Sequence, residues 1–274
     1  PRYWISETHC QEDIKKRKLK STWAISFRDT TNVISNFRTS ISCICDNVAF
    51  NYKIPNVVLE RYKIEENRAQ LSLLFVALMN SIPFDYVLRQ KFYGANFTKS
   101  ILMQLAVPPS SLLIKYNSFI IPRALELTYT STALNNFSSL CGYSGSPFIW
   151  NEDRRLIIKS ELDAFFFQIY KLEKSEIIHV LDSFPILKKK EIDEYGEYRT
   201  RRLVLEAWER MQESLDNGTE YVPMVDPAPA HPSMAHPWPD GTPYEGPGLV
   251  LDEAMFEEEK PKPKPAAKKS FEIH

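Results

Sequence analysis

The sequence predicts an α+β fold: a mixed, small-sheet domain, then a mostly helical region, then a proline-rich extended tail. Three observations predict it. Short runs of β-branched and aromatic residues occur early in the chain, apolar residues recur at helical spacing in the middle, and eleven of the nineteen prolines lie beyond residue 216. We therefore divide the chain into residues 1–110, 111–216 and 217–274.

Four short segments predict strands in the first region. The alternation of polar and apolar residues from Arg38 to Cys45 is typical of a half-buried strand. It places Cys43 and Cys45 on one face, and without a CxxC pair these thiols indicate reduced cysteines rather than a zinc site. The other predicted strands are 3–5, 22–28 and 57–59.

A nearly all-apolar stretch within residues 70–88 predicts a buried helix in the same region. Pro83 is expected either to end that helix or to lie in the first turn of another, over residues 83–90. Gly94 is expected to cap the second piece at its C-terminus.

The middle region predicts three further helices. Asn151 is the expected N-cap of the first, and Ser175 opens a shorter one that ends near Asp182. Apolar residues at three- and four-residue spacing predict the last, which ends at Asn217 and Gly218.

The tail contains too little apolar surface to fold alone. We expect residues 217–274 to be disordered, or to wrap against a partner or the body of the protein. Trp238, Tyr244 and Phe256 are the candidate anchors for such wrapping.

Catalytic motifs are missing from the sequence. There are only eight glycines, and they form no GxGxxG, P-loop or GxSxG motif. The charged run 188–194 predicts a solvated turn rather than a metal site, and His179, beside apolar residues on a helix, predicts a structural histidine. We therefore predict no catalytic residue, metal ligand or cofactor in this chain.

The net charge of −1 neither supports nor excludes a nucleic-acid partner. The longest apolar run, 73–79, is far shorter than the roughly 20 residues that cross a bilayer, so we predict no membrane association. The chain starts at Pro1 without a signal peptide. We expect a cytoplasmic fragment of a longer protein.

Three separated blocks of sequence occur in a recognisable order. Together they resemble blocks in the large adenine-specific DNA methyltransferases of the combined restriction-modification and phage-defence type. The blocks are Trp23–Asn32 with Arg38–Thr39; Ala77–Ser81 with Phe84–Lys91, Gly94, Asn96 and Leu105–Pro108; and Arg123–Ser131 with Glu161–Phe166 and Tyr195–Thr200.

The resemblance implies a DNA-reading role, because in that family these blocks follow the catalytic domain, in and around the target-recognition domain. It implies double-stranded DNA, an N-terminal methyltransferase domain or subunit, and other defence-system proteins as partners. S-adenosylmethionine would serve the catalytic domain outside this chain, so the chain alone is not an enzyme although the full-length protein is. The chain departs from the family pattern at Phe92–Tyr93 and at Asn36–Phe37.

Seven side chains are the candidate DNA contacts. Arginine pairs bidentately with guanine, glutamine and asparagine pair with adenine, and lysine suits phosphate. The candidates are Arg28, Arg38, Arg89, Gln90, Lys91, Asn96 and Lys99.

Structural alternatives exist for several of these side chains. Arg28 could form a salt bridge with the adjacent Asp29, and Arg89 could pair with Asp85 at four-residue helical spacing. The basic cluster between Lys15 and Lys20 could follow phosphates or form a solvated turn.

A second function remains open from the sequence. The chain could be a protein-interaction module of a phage-defence complex without intrinsic DNA specificity. Salt dependence separates the two, because phosphate binding weakens steeply with salt and a hydrophobic interface does not.

Overall fold

The computed structural model describes residues 6–17, 21–46, 53–59, 64–92 and 94–251. Within these ranges it contains one small antiparallel sheet and many helices, which confirms the predicted α+β class. The predicted strand at 3–5, the basic residues Lys18 and Lys20, and the proposed anchor Phe256 lie outside the described residues.

The described sheet has three strands in the order β2-β1-β3, and both neighbours run antiparallel to the central strand. Ile25 of the central strand is fully buried and lies opposite Ile44 on one side and Val57 on the other. The strands are β1 (Trp23–Phe27), β2 (Ser42–Asp46) and β3 (Asn56–Val57).

The second strand is shorter than the prediction of 38–45. Arg38 and Thr39 instead bind the side chain of a helix, which removes them from the sheet ladder. The prediction that Cys43 and Cys45 share a face is confirmed, since their sulfur atoms lie 3.3 Å apart.

Helices make up most of the described chain. They are α1 (Glu7–Arg17), α2 (Glu65–Met79), α3 (Ile82–Lys91), α4 (Lys99–Leu102), α5 (Ser110–Lys115), α6 (Asn117–Thr128), α7 (Asn135–Leu140), α8 (Glu152–Ile169), α9 (Lys174–Asp182), α10 (Pro185–Tyr195) and α11 (Arg199–Asn217).

The predicted buried helix is α2, which lies at the centre of the molecule. It packs against β1, β2, α3, α5, α6 and α7. Leu73, Leu74 and Leu78 are fully buried on it. A helix with neighbours on all sides needs apolar residues all round, which explains its lack of a polar face.

Pro83 lies in the first turn of α3, as the second of the two alternatives predicted. The hydroxyl of Ser81 caps that helix by accepting a hydrogen bond from the backbone N–H of Phe84. The prediction for Gly94 is wrong: α3 ends at Lys91, and Phe92 leaves the helix in an extended conformation.

The helices α8 and α11 pack closely against each other. Asn151 caps α8 as predicted, accepting a hydrogen bond from the N–H of Arg154 at 3.0 Å. The last helix, α11, buries Val204 and Ala207, and ends at Gly218 in the left-handed conformation, as predicted.

The run 188–194 is helical, so the predicted solvated turn is wrong. It belongs to α10, which Pro185 begins and Gly196 ends in the left-handed conformation. Glu191 in this run is buried and accepts hydrogen bonds from the backbone N–H and the hydroxyl of Thr200. The basic cluster at 15–17 is likewise the end of a helix, α1, rather than a turn.

Residues 219–251, here called the strap, run over the surface of the helices with little regular structure. Glu161 of α8 accepts hydrogen bonds from the hydroxyl of Tyr221 at 2.8 Å and the N–H of Met224 at 2.6 Å. Glu126 of α6 accepts one from the N–H of Ala230 at 2.8 Å. Two buried carboxylates therefore fix the first half of the strap.

The second half of the strap follows the loop between α7 and α8. The N–H of His236 donates to the carbonyl of Pro147, and the N–H of Val250 donates to that of Gly142. Tyr244 packs edge-on against the ring of Tyr143, with the ring centres 5.7 Å apart. Of the predicted anchors, Tyr244 and Trp238 also contact each other.

One hydrophobic core runs from the sheet to the strap, through Trp23, Leu73, Phe166 and Ala230. In the described part of the chain, no single helix is long and apolar enough to cross a membrane.

Candidate nucleic-acid interface

Two segments of the first region lie side by side: residues 29–41, here called the 29–41 loop, and residues 94–99. The backbone N–H of Thr31 donates to the carbonyl of Ala95 at 3.0 Å. Phe97, within the second segment, is fully buried. The two segments therefore form one surface although more than fifty residues separate them in sequence.

Asp29 holds these segments together. Its carboxylate accepts hydrogen bonds from the side-chain amide of Asn96 at 2.7 Å and from Lys53 at 3.2 Å. Its backbone carbonyl accepts one from the N–H of Phe97. The predicted alternative of a salt bridge between Arg28 and Asp29 is therefore wrong, because Asp29 is satisfied by other partners.

Arg28 supports the 29–41 loop from within. Its guanidinium group donates to the hydroxyl of Thr31 at 2.9 Å and to the backbone carbonyl of Arg38 at 2.7 Å. These bonds fix the two ends of the loop relative to each other.

The buried carboxylate of Asp85 organises the base of the loop. It accepts hydrogen bonds from Arg38 Nε at 2.8 Å, from the backbone N–H of Thr39 at 2.9 Å and from Arg89 Nε at 3.1 Å. Asp85 is wholly inaccessible to solvent. The predicted four-residue pairing of Arg89 with Asp85 is thus present.

Both arginines direct further donors into the protein. Arg38 also donates to the backbone carbonyl of Asn80, and Arg89 to that of Asn36. The guanidinium group of Arg89 lies 4.1 Å above the ring of Phe184, where a cation–π contact stabilises it.

The contacts of Arg38 and Arg89 therefore favour a supporting role over the predicted base reading. Their side chains are 16% and 6% exposed, and their charges are neutralised by one buried carboxylate. Withdrawing either arginine to reach DNA would leave that carboxylate short of a partner, at a large energetic cost. They position the loop instead.

A second buried carboxylate, Asp163 of α8, accepts a hydrogen bond from the N–H of Ile82 at 2.6 Å. Burial raises the pKa of Asp163 to about 6, although the nearby charge of Arg38 acts in the opposite direction. It joins the start of α3 to the helical region and so orients the helix that carries Arg89.

Three of the predicted DNA contacts are exposed to solvent. Gln90 and Lys91 end α3, and Lys99 begins α4, which packs against α3. Asn96 is half-buried, with its amide nitrogen already bound to Asp29. The fold therefore brings Gln90, Lys91 and Lys99 to one end of α3, near the 94–99 segment.

This surface is notable for the residues it lacks. Neither 30–45 nor 86–125 contains an aspartate or a glutamate, although the chain has 35 acidic residues. The next acidic residue, Glu126, is buried against Arg154. The exposed charges contributed by these two segments are therefore positive.

Sequence reasoning did not find Asp85 and Asp163 as organising groups. The four-residue spacing of Asp85 and Arg89 was a local signal, but the pairing with Arg38 spans 47 positions and has none. The acid-free segments could have been found in the sequence by counting residues. That they lie next to each other could be found only from the fold.

Among the residues that the structure describes, there is no group of three side chains suited to holding a metal ion. Two open depressions occur on the surface of the described residues. One lies on α10 and is lined by Ile186, Lys189, Lys190, Asp193 and Glu194, and the other lies beside Tyr86, Leu172 and His179. His179 is exposed, so the prediction that it is a structural histidine is wrong.

Comparison of the chain with protein-family models, with curated proteins and with solved structures finds no match.

Proposed function

We propose that this chain reads and positions double-stranded DNA for an adenine-specific, S-adenosylmethionine-dependent DNA methyltransferase of the restriction-modification or phage-defence type. The catalytic domain lies outside this chain, either in an N-terminal domain of the same protein or on a separate subunit. The proposed compartment is the cytoplasm. The acid-free surface formed by residues 30–41 and 86–99 carries this proposal, because DNA is a polyanion and repels carboxylates.

The side chains on that surface divide into two roles. Lys91 and Lys99 are exposed cations at the end of α3 and the start of α4, suited to two phosphates of the backbone. Gln90 lies beside Lys91, and a glutamine amide can form two hydrogen bonds with an adenine in the major groove. Phosphate contacts set the register, and Gln90 reads the base.

The half-buried arginines contribute rigidity. Arg38 and Arg89 fix the second half of the 29–41 loop on Asp85, so little ordering of that part remains to be done on binding. The reaction class rests on the resemblance to methyltransferases. The placement of catalysis outside this chain rests on the lack of catalytic motifs in the sequence.

The experiment is a titration of labelled duplex DNA with the chain at several salt concentrations. Its test variant is Lys91→Ala/Lys99→Ala. Its matched control is Lys174→Ala/Lys189→Ala, which removes two exposed lysines from α9 and α10.

We expect the Lys91/Lys99 variant to bind more weakly and to lose up to about 2 from the slope of log affinity against log salt, since each phosphate contact contributes about 0.9. The control should behave as the parent protein. Equal losses in both variants, or no binding to DNA at low salt, would contradict the proposal. Labelled S-adenosylmethionine added to the same mixtures should give no methyl transfer.

A salt-independent association with the catalytic domain, combined with no affinity for DNA, would support the protein-interaction module instead. The same variants separate the two functions, because a hydrophobic interface is insensitive to the removal of two lysines from the acid-free surface.

A further inference from the structure

Two cysteines lie together on the strand β2. Cys43 is exposed and Cys45 is half-buried, and both project from the same face of the strand. Their sulfur atoms are 3.3 Å apart. In an extended strand, side chains two residues apart do not have to touch, so the contact is a specific feature of this pair.

The separation of the sulfur atoms indicates which chemistry the pair suits. A disulfide bond is about 2.05 Å long. Two thiolates on one zinc ion, each about 2.3 Å from the metal at a tetrahedral angle, would be roughly 3.8 Å apart. The observed 3.3 Å is the distance of a hydrogen bond between the two sulfur atoms.

The hydrogen bond divides the protons unequally between the two sulfur atoms. Donation from Cys43, and a weaker contribution from the hydroxyl of Ser26, lower the pKa of Cys45 to about 6 despite partial burial. The same hydrogen bond, together with burial, raises the pKa of Cys43. The hydrogen bond therefore favours the thiolate on Cys45 and the proton on Cys43.

We propose that Cys43 and Cys45 are a redox-active dithiol that exchanges reversibly with an external disulfide of the glutathione class. The Cys45 thiolate attacks one sulfur of that disulfide, and the first small thiolate leaves. Cys43 then gives up its proton, its thiolate attacks the sulfur of Cys45, and the second small thiolate leaves. Two electrons pass from the protein to the external disulfide, which becomes two thiols.

The disulfide bond between Cys43 and Cys45 is expected to be easily reduced again. Two residues apart on a strand, the α-carbon atoms are about 6.6 Å from each other, near the upper end of the range of about 4.4–6.8 Å that disulfides span. A bond formed there pulls against the pairing of β2 with β1, and strained disulfides are the labile ones.

The test equilibrates the reduced chain in mixtures of reduced and oxidised glutathione at pH 7, followed by acid quenching, alkylation and mass spectrometry. Trypsin releases residues 39–53 as one peptide that holds both cysteines. We expect this peptide to lose two hydrogen atoms and to escape alkylation in a fraction that rises with the oxidised form. Two free thiols, or two independent glutathione adducts, would overturn the proposal.

Variants assign the roles. Cys43→Ala should stop at a mixed disulfide on Cys45, and Cys45→Ala should abolish the internal disulfide. Cys141→Ser, at a fully buried cysteine, is the matched control and should leave the peptide unchanged.

Labelling with iodoacetamide against pH supplies an independent readout. The midpoint for Cys45 should lie near pH 6 in the parent protein and rise in Cys43→Ala, since the donated hydrogen bond is gone. A midpoint above pH 8 in the parent protein would overturn the assignment of Cys45 as the attacking thiolate.

Discussion

Single buried carboxylates join parts of this chain that are distant in sequence. Asp85 binds the 29–41 loop, Asp163 binds the start of α3, and Glu126 and Glu161 bind the strap. Each accepts at least one backbone N–H, and all but Asp163 also pair with an arginine. A buried charge needs such partners, so each carboxylate specifies one arrangement of its neighbours.

Asp163 should lower the free energy of unfolding as pH rises, which is the opposite of the effect of a carboxylate whose pKa is lowered by folding. Its pKa is about 6 in the folded chain and 3.8 ordinarily, so the folded chain holds the proton more tightly than the unfolded chain. The free energy of unfolding therefore contains a contribution that falls as pH rises from about 4 to about 6 and stays level above. Asp163→Asn removes the charge and keeps an acceptor for the N–H of Ile82.

Urea unfolding across pH 4–8 measures this contribution. We expect Asp163→Asn to match the parent protein near pH 4 and to exceed it by up to roughly 3 kcal/mol above pH 7, since a tenfold change in proton affinity is worth about 1.4 kcal/mol. Asp193→Asn, at an exposed salt bridge with Lys189, is the control and should show no such trend. A difference between Asp163→Asn and the parent that is the same at every pH would refute the assignment.

At the scale of secondary-structure elements, local signals predicted the helix ends well. Asn151 as an N-cap, Pro83 in a first turn and Gly218 beyond the last helix all act within a few residues of their own position. The same logic could have found α10, which begins at Pro185 and ends at Gly196.

Elements shaped by distant contacts were predicted less well. Strand β2 begins later than its polar–apolar alternation suggests because Arg38 and Thr39 bind Asp85, which lies on α3. The candidate DNA contacts also divide into those whose exposure depends on local sequence and those whose exposure depends on distant partners. Exposure of Lys91 follows from its place at a helix end, whereas the partial burial of Arg38 depends on a partner 47 positions away.

A substitution at Gly142 tests how the C-terminal end of the strap is held. Its backbone has a φ of +95°, its carbonyl accepts the N–H of Val250 at 2.9 Å, and a Cβ atom there would overlap the Val250 carbonyl. We expect Gly142→Ala to expel the end of the strap, seen as faster hydrogen exchange over residues 245–251. Gly241→Ala has a similar backbone cost, with φ +85° and open space around it, and should not.

Equal exchange at 245–251 in the parent protein and in Gly142→Ala would mean that the close approach of Val250 does not hold the strap. Faster exchange in both variants would assign the effect to the strain of an alanine with positive φ rather than to the close contact between residue 142 and Val250.

At the scale of the whole molecule, segments that are far apart in sequence meet in space. Arg38 pairs with Asp85 of α3, and Asp163 of α8 accepts a hydrogen bond from the backbone N–H of Ile82 in the first turn of α3. These residue types therefore specify how the small sheet is set against the helices. DNA reading would fall to the more exposed positions around them, such as Gln90 and Lys91.

The strap belongs to this same folded unit. Val225, Ala230 and Ala235 are buried, and Ala230 is part of the continuous core. A proline-rich segment cannot form a core of its own. Its backbone N–H groups and scattered apolar residues are enough to bind it to helices that already provide an apolar surface and buried carboxylates. The strap should therefore contribute to global stability rather than open independently.

Truncation after Gly218 tests this whole-molecule role. The chain then loses the N–H groups of Met224 and Ala230 and the hydroxyl of Tyr221 as partners for Glu126 and Glu161. Because a hydrogen bond to a charged group contributes about 1.5–3 kcal/mol, we expect the free energy of unfolding in urea to fall by roughly 4 kcal/mol or more. A synthetic peptide of residues 219–251 should restore part of the loss. An unchanged unfolding midpoint, with no response to the peptide, would show that the strap only covers a core that is already complete.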